Sequence, residues 1–136
     1  MSKPIKISFE IEDNWNIVDF RNYIKLLMSE DLYEIYIISN ANNSADIVRA
    51  GSFLGLPSEN VVITNFQEDK LNAVTTNNID IHFDNLQSFV FLLEETTDTR
   101  GVLVTPYLNK FYLISDYKVV FDRILKEIQE ENGTAC

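Results

Sequence analysis

Apolar and polar positions along this chain follow two alternating rhythms. Residues 5–11 set Ile5, Ile7, Phe9 and Ile11 against Lys6, Ser8 and Glu10, a period of two that predicts a strand. Residues 17–28 then carry Val18, Phe20, Tyr23, Ile24 and Leu27 at helical spacing. Asn16 is placed to cap that helix, and Asp19 sits in its acid-favouring first turn. Residues 34–39 are almost wholly apolar, as a strand buried on both faces should be. A polar turn follows, in which Asn43 or Ser44 can cap a helix reaching Leu54, with Ile47, Ala50, Phe53 and Leu54 inward. Gly55 and Pro57 mark its end. The pattern continues with a strand over 61–64, a short helix over 70–76, a strand over 79–83, a helix over 86–93 and a strand over 101–105. A short sixth strand over 111–114 and an amphipathic helix over 117–130, with Val120, Phe121, Ile124, Leu125 and Ile128, complete the series.

Strand and helix alternate without a break, which predicts an α/β fold: a three-layer, Rossmann-like parallel sheet with helices on both faces. No linker divides the chain and the connections are short. We expect one domain over residues 1–130, with 131–136 a frayed tail. No insertion is large enough for a second, lid-like domain.

Composition narrows the function classes. Eleven basic against 21 acidic residues give a net charge of -10, which disfavours broad binding to nucleic acid or anionic membranes. A hydrophobic fraction of 46% supports a real core. Cys136 is the sole cysteine, so neither an internal disulfide nor a cysteine metal site is expected. No apolar run approaches the roughly 18 residues of a membrane span, and residues 1–4 contain no signal-peptide core. These features lead us to expect a soluble cytoplasmic protein.

The candidate chemistry lies where strands end. The first strand runs into Glu10-Ile11-Glu12-Asp13, the second into Ser39-Asn40, and the fourth into Asp84-Asn85. Lys70 sits in the helix between the third and fourth strands. In open parallel sheets the carboxyl edge is where ligands bind. Each residue also has a plain reading: Glu10 and Glu12 as the solvent face of an edge strand, Lys70 as a surface lysine, Ser39 as a cap, Asp84 as a turn residue. His82, the sole histidine, lies in an apolar strand and reads as a hydrogen-bonded core or rim residue rather than a base. Trp15, just after Glu10-Ile11-Glu12-Asp13, suits a cover over the site but reads more readily as ordinary packing. Tyr107, Tyr112 and Tyr117 suit either an exposed groove or packing of the last helix.

Over residues 5–105 the order of these motifs resembles the haloacid dehalogenase (HAD) superfamily of phosphohydrolases. Ile37-Ile38-Ser39-Asn40 is similar to that family's second motif, Lys70 to its third, and Asp80-Ile81-His82-Phe83-Asp84-Asn85 to its acidic fourth. The resemblance implies that Ser39, Asn40 and Lys70 bind phosphate. It implies that Glu10, Glu12 and Asp84 hold Mg²⁺, an ion suited to clustered carboxylates, as is Ca²⁺. It also implies that Glu10, Ser39 and Asp84 share one sheet edge, with Glu10 and Asp84 on neighbouring strands.

The first motif departs from the family. Glu10 stands where the family's nucleophilic Asp belongs, Glu12 where its acid/base Asp belongs, and Asn14 where Thr or Val is usual. Each glutamate moves its carboxylate out by one methylene, about 1.5 Å, and a misplacement of about 1 Å can cost ~100-fold in rate. Asp13 is turned away from Glu10 and Glu12 by strand alternation. The leading expectation is therefore a HAD-like protein that binds a phosphorylated small molecule or protein partner and hydrolyses phosphate esters poorly or not at all. The alternatives are an active Mg²⁺-dependent phosphohydrolase acting on a bulky substrate, such as a polynucleotide end or a phosphoprotein, and a non-catalytic interaction or oligomerisation protein.

Overall fold

The computed structural model of the chain describes residues 3–11, 18–40, 44–104, 119, 122–127 and 130, with the side chains of 18 and 19 excepted. The elements run β1 (Ile5–Phe9), α1 (Val18–Met28), β2 (Tyr33–Asn40), α2 (Ser44–Leu54), a 3₁₀ turn (Ser58–Asn60), β3 (Val61–Thr64), α3 (Gln67–Thr76), β4 (Ile81–Asp84), α4 (Gln87–Thr96) and β5 (Arg100–Leu103). Residues 122–127 are also helical. The predicted sixth strand, the flanks of the closing helix, the Asn16 cap, Trp15, the three late tyrosines and Glu12 lie outside the described residues. No described helix is long and apolar enough to cross a membrane.

All five strands are parallel, in the order β3-β2-β1-β4-β5. The predicted α/β architecture is therefore present. β1 lies at the centre, so Glu10 is not on an edge strand. The chain builds outward from β1 through β2 to β3, then returns to pair β4 with the other side of β1. The reversal places a switch point between the carboxyl ends of β1 and β4, the crevice that open α/β sheets use for ligands.

The pleat sends alternate residues to opposite faces. On one face, Ile7 and Phe9 of β1, Ile35 and Ile37 of β2, and Ile81 and Phe83 of β4 pack with Phe20, Tyr23, Ile24 and Leu27 of α1. Ile47, Ala50 and Leu54 of α2 join them, as does Ile124. Phe9 and Phe83 stack with centroids 4.8 Å apart, and Phe20 meets Phe9 edge-on at 5.6 Å. An ion pair from Arg100 to Glu127, 2.9 Å long, ties the last helical stretch to β5. On the other face a smaller cluster, Tyr36, Ile38, Val74, Ile79, Phe89 and Leu93, is covered by α3 and α4. This makes three layers.

Several boundaries differ from the pattern-based reading. α3 begins at Gln67, three residues before the apolar signal, because Phe66 supplies the carbonyl that accepts the Lys70 N–H at 3.0 Å. β4 begins at Ile81 rather than 79; Asp80 instead brackets Lys6, its N–H bonding the Lys6 carbonyl and its carboxylate accepting the Lys6 N–H, both at 2.9 Å. α4 runs on to Thr96. Phe53 was expected inward and is 57% exposed; Gly51 takes the inward position instead. A Cβ at Gly51 would lie 2.7 Å from Val61 Cγ2, so only glycine lets α2 sit this close to β3. Gly55 ends α2 as expected, with φ at +72°, and the Leu56 N–H returns to the Gly51 carbonyl at 3.0 Å.

Candidate functional site

Parallel strands deliver the candidate residues to one edge. Glu10 directly follows β1, and its N–H continues the ladder to the Phe83 carbonyl at 2.8 Å. Ser39 and Asn40 end β2, and Asp84 ends β4. Lys70 is the fourth residue of α3 and reaches the same place from the face above. Glu10, Ser39 and Asp84 therefore share the carboxyl edge, with Glu10 and Asp84 on neighbouring strands. Glu12 cannot be placed beside them, since it lies outside the described residues.

Lys70 is the centre of the arrangement. Its side chain is 1% exposed, so it is not a surface lysine. Its Nζ lies 3.0 Å from Glu10 Oε1 and 2.7 Å from Asp84 Oδ2, and it rests 4.3 Å from the centroid of the Phe89 ring. A buried ammonium is stable only when paired and hydrogen-bonded; here two carboxylates and an aromatic face surround it.

Both oxygens of the Glu10 carboxylate are engaged. Oε1 accepts from Lys70 and from the Asn40 N–H at 3.0 Å. Oε2 accepts from the Ser39 hydroxyl. Ser39 is thus a strand residue bonding across the edge, not a helix cap; its Oγ also accepts the Ile11 N–H at 3.4 Å. The Asn40 side chain is held in turn by Thr64, whose hydroxyl donates to Asn40 Oδ1.

Asp84 is engaged on both oxygens too. Oδ2 takes Lys70 and, at 2.8 Å, Nε2 of His82; Oδ1 accepts the Leu86 N–H at 2.9 Å, which starts α4. The turn reading of Asp84 holds for Oδ1, while Oδ2 is bonded within the buried polar cluster. Burial pushes the Asp84 carboxyl up, but the hydrogen bond and charge of His82, then the charge and hydrogen bond of Lys70, outweigh it and hold it below the usual carboxylate range.

His82 is buried, and its Nδ1 lies 2.6 Å from Ser8 Oγ. A carboxylate accepts only, so Nε2 carries a proton toward Asp84, and Nδ1 is left to pair with the Ser8 hydroxyl. Ser8, His82 and Asp84 are the residue types of a hydrolytic triad. All three are fully buried, so no substrate can approach the Ser8 hydroxyl, and the set orders the site from beneath. His82 is the hydrogen-bonded core residue that its apolar setting predicts.

A scan against protein-family models and a search of curated proteins both return no match for this chain. The members of the site form one buried chain, Ser8–His82–Asp84–Lys70–Glu10–Ser39, across the ends of β4, β1 and β2. Motif reasoning missed Ser8 and the connecting role of His82. A signal existed: Ser8 and Glu10, like His82 and Asp84, are two apart and so share a face, and Ser8 pairs with His82 in register.

The resemblance also implies Mg²⁺ on Glu10, Glu12 and Asp84. The described part of that set already holds a cation, the Lys70 ammonium, and the four oxygens of Glu10 and Asp84 have protein donors. Among the described residues no group of three His, Cys, Asp or Glu side chains is arranged to hold a metal. As the side chains stand, the described pair does not fit a divalent ion.

Proposed function

We propose that this chain is a HAD-like protein that binds a phosphorylated small molecule or a phosphorylated partner at the β1/β4 edge, with little or no phosphatase activity. One observation carries the reading: a lysine ammonium from α3, with a hydroxyl and a main-chain N–H from the end of β2, converge on one oxyanion at the switch point of the sheet. Those are the donors that recognise a phosphoryl group, and their pre-set positions lower the cost of binding one. Poor catalysis is supported by Glu10 itself. A nucleophile must present a lone pair to phosphorus, and both Glu10 oxygens are committed to protein donors. Mg²⁺ is the ion that the resemblance assigns to Glu10, Glu12 and Asp84, but the Lys70 ammonium already occupies the place between Glu10 and Asp84. The net charge of -10 argues against an extended nucleic-acid surface.

The test has two arms. The natural protein with Mg²⁺ and p-nitrophenyl phosphate should show no turnover above buffer, while Glu10→Asp with Glu12→Asp should hydrolyse it measurably. Phenyl phosphate at millimolar concentration should raise the melting temperature of the natural protein, and sodium chloride of equal ionic strength should not. Robust turnover by the natural protein would establish an active phosphohydrolase instead. No stabilisation by phenyl phosphate would remove phosphate binding altogether.

A further inference from the structure

The donors around Glu10 are held independently of Glu10. Lys70 is fixed by Asp84 at 2.7 Å and by the Phe89 ring. Asn40 lies in the β2–β3 ladder opposite Thr64 and bonds the Thr64 hydroxyl through its side chain. Ser39 is a β2 residue paired with Ile63. Removing the Glu10 carboxylate would therefore leave three polar donors still converging on one spot. The charge count points the same way. Lys70 now faces two carboxylates, and losing one leaves room for an incoming anion to restore the present balance.

Resting on the proposed phosphate-binding reading, we infer that the Glu10 carboxylate is a resident anion: it fills an oxyanion cradle made by Ser39 Oγ, the Asn40 N–H and Lys70 Nζ, and a phosphoryl group enters only by displacing it. The extra methylene of glutamate is what carries the carboxylate into the cradle. The natural protein is thus self-liganded. Its ligand must add contacts outside the cradle to compete, which makes a bare phosphate ion a poor ligand and a phosphorylated molecule with a further recognition element a better one.

Isothermal titration with inorganic phosphate tests this directly. Glu10→Ala should bind phosphate about 10- to 100-fold more tightly than the natural protein, the range expected for releasing donors from one charge-assisted contact. Acetate, the functional group removed, should bind the same variant. Glu94→Ala, which removes one exposed acidic residue elsewhere, should leave phosphate affinity unchanged. Lys70→Met added to Glu10→Ala should abolish binding. Glu10→Asp keeps the charge beside Lys70 and retracts the carboxylate; it should gain several-fold, and it decides the question if Glu10→Ala does not fold. Phosphate affinity in Glu10→Ala or Glu10→Asp equal to that of the natural protein overturns the inference while leaving phosphate binding by the natural chain intact. Binding of phosphate by Glu10→Ala, with no response of the natural protein to phenyl phosphate, upholds the cradle and removes the proposed function. Binding of acetate but not phosphate by the variant overturns the phosphoryl assignment.

Discussion

The two faces of the sheet are made by the same strands and differ in kind. β1 sends Ile7 and Phe9 one way and Ser8 the other, with Glu10 following on that second side; β4 sends Ile81 and Phe83 one way and His82 and Asp84 the other. The face under α1 and α2 is a broad apolar core with stacked aromatic rings. The face under α3 and α4 has a thinner apolar cluster, and a line of buried polar groups runs through it to the carboxyl edge. Burial is equally deep on both sides, so burial alone does not tell core from site. What separates them is directionality. Apolar packing depends on volume and tolerates exchange of similar shapes. The polar line depends on each member keeping its partner, because an unpaired buried charge has no compensation.

The largest effects should come from breaking one partner on each face. Lys70→Met leaves Glu10 and Asp84 buried without their cation and should cost about 3–5 kcal/mol in urea unfolding at neutral pH. Phe83→Ala should cost a similar ~3–5 kcal/mol through a cavity. The two losses differ in kind. Adding Glu10→Gln to Lys70→Met should recover part of the first, because one of the stranded charges is gone. Glu10→Gln should not rescue Phe83→Ala. Equal behaviour of the two backgrounds would erase the contrast between the faces.

A smaller effect is expected in acid. The Asp84 carboxyl titrates below its unfolded value, so the unfolded chain takes up a proton first as pH falls. Its stabilisation is complete above the ordinary carboxylate range, near pH 4, and is lost as pH drops through the lowered folded value. Asp84→Asn should be less stable than the natural protein at neutral pH, and the gap should close on acidification across that window. Phe83→Ala should keep the natural protein's acid dependence. Urea midpoints measured between neutral pH and pH 2.5 would read both, and a gap for Asp84→Asn that does not change with pH would contradict the pairing described here.

The smallest pair compares single contacts. Ser8→Ala strands His82 Nδ1 and should cost ~1–3 kcal/mol. Ile7→Val, its neighbour on the opposite face, should cost ~0.5–1.5 kcal/mol. If Ser8→Ala proves the milder of the two, the line ends at His82 rather than at Ser8.

Much of this was legible in the chain itself. Period-two and helical patterning set the order of the elements, since burial of one face is a local property of each segment. The abrupt change from apolar run to Glu10, Ser39 or Asp84 marked the ends of three strands, and the parallel architecture that alternation implies is enough to put such ends on one edge. Element limits were less legible where the backbone, not a side chain, supplied the bond: the Phe66 carbonyl extends α3, and Asp80 brackets Lys6 before β4 begins. Phe53 read as core because its spacing fits, yet Gly51 decided which way α2 faces by allowing close approach to Val61.

What only the tertiary structure decided is who pairs with whom. Glu10, Lys70 and Asp84 read in sequence as two anions and a cation at a candidate site, with a metal ion as the natural bridge. The fold puts the Lys70 ammonium in that bridging place and turns the Ser39 hydroxyl and Asn40 N–H onto Glu10 rather than outward. Lys70, Ser39 and Asn40 lie 60, 29 and 30 positions from Glu10 along the chain. Spacing that long carries no geometric information. A charged side chain's partner is chosen by which strands are neighbours and how deep the donors are buried, and neither quantity exists until the sheet has formed.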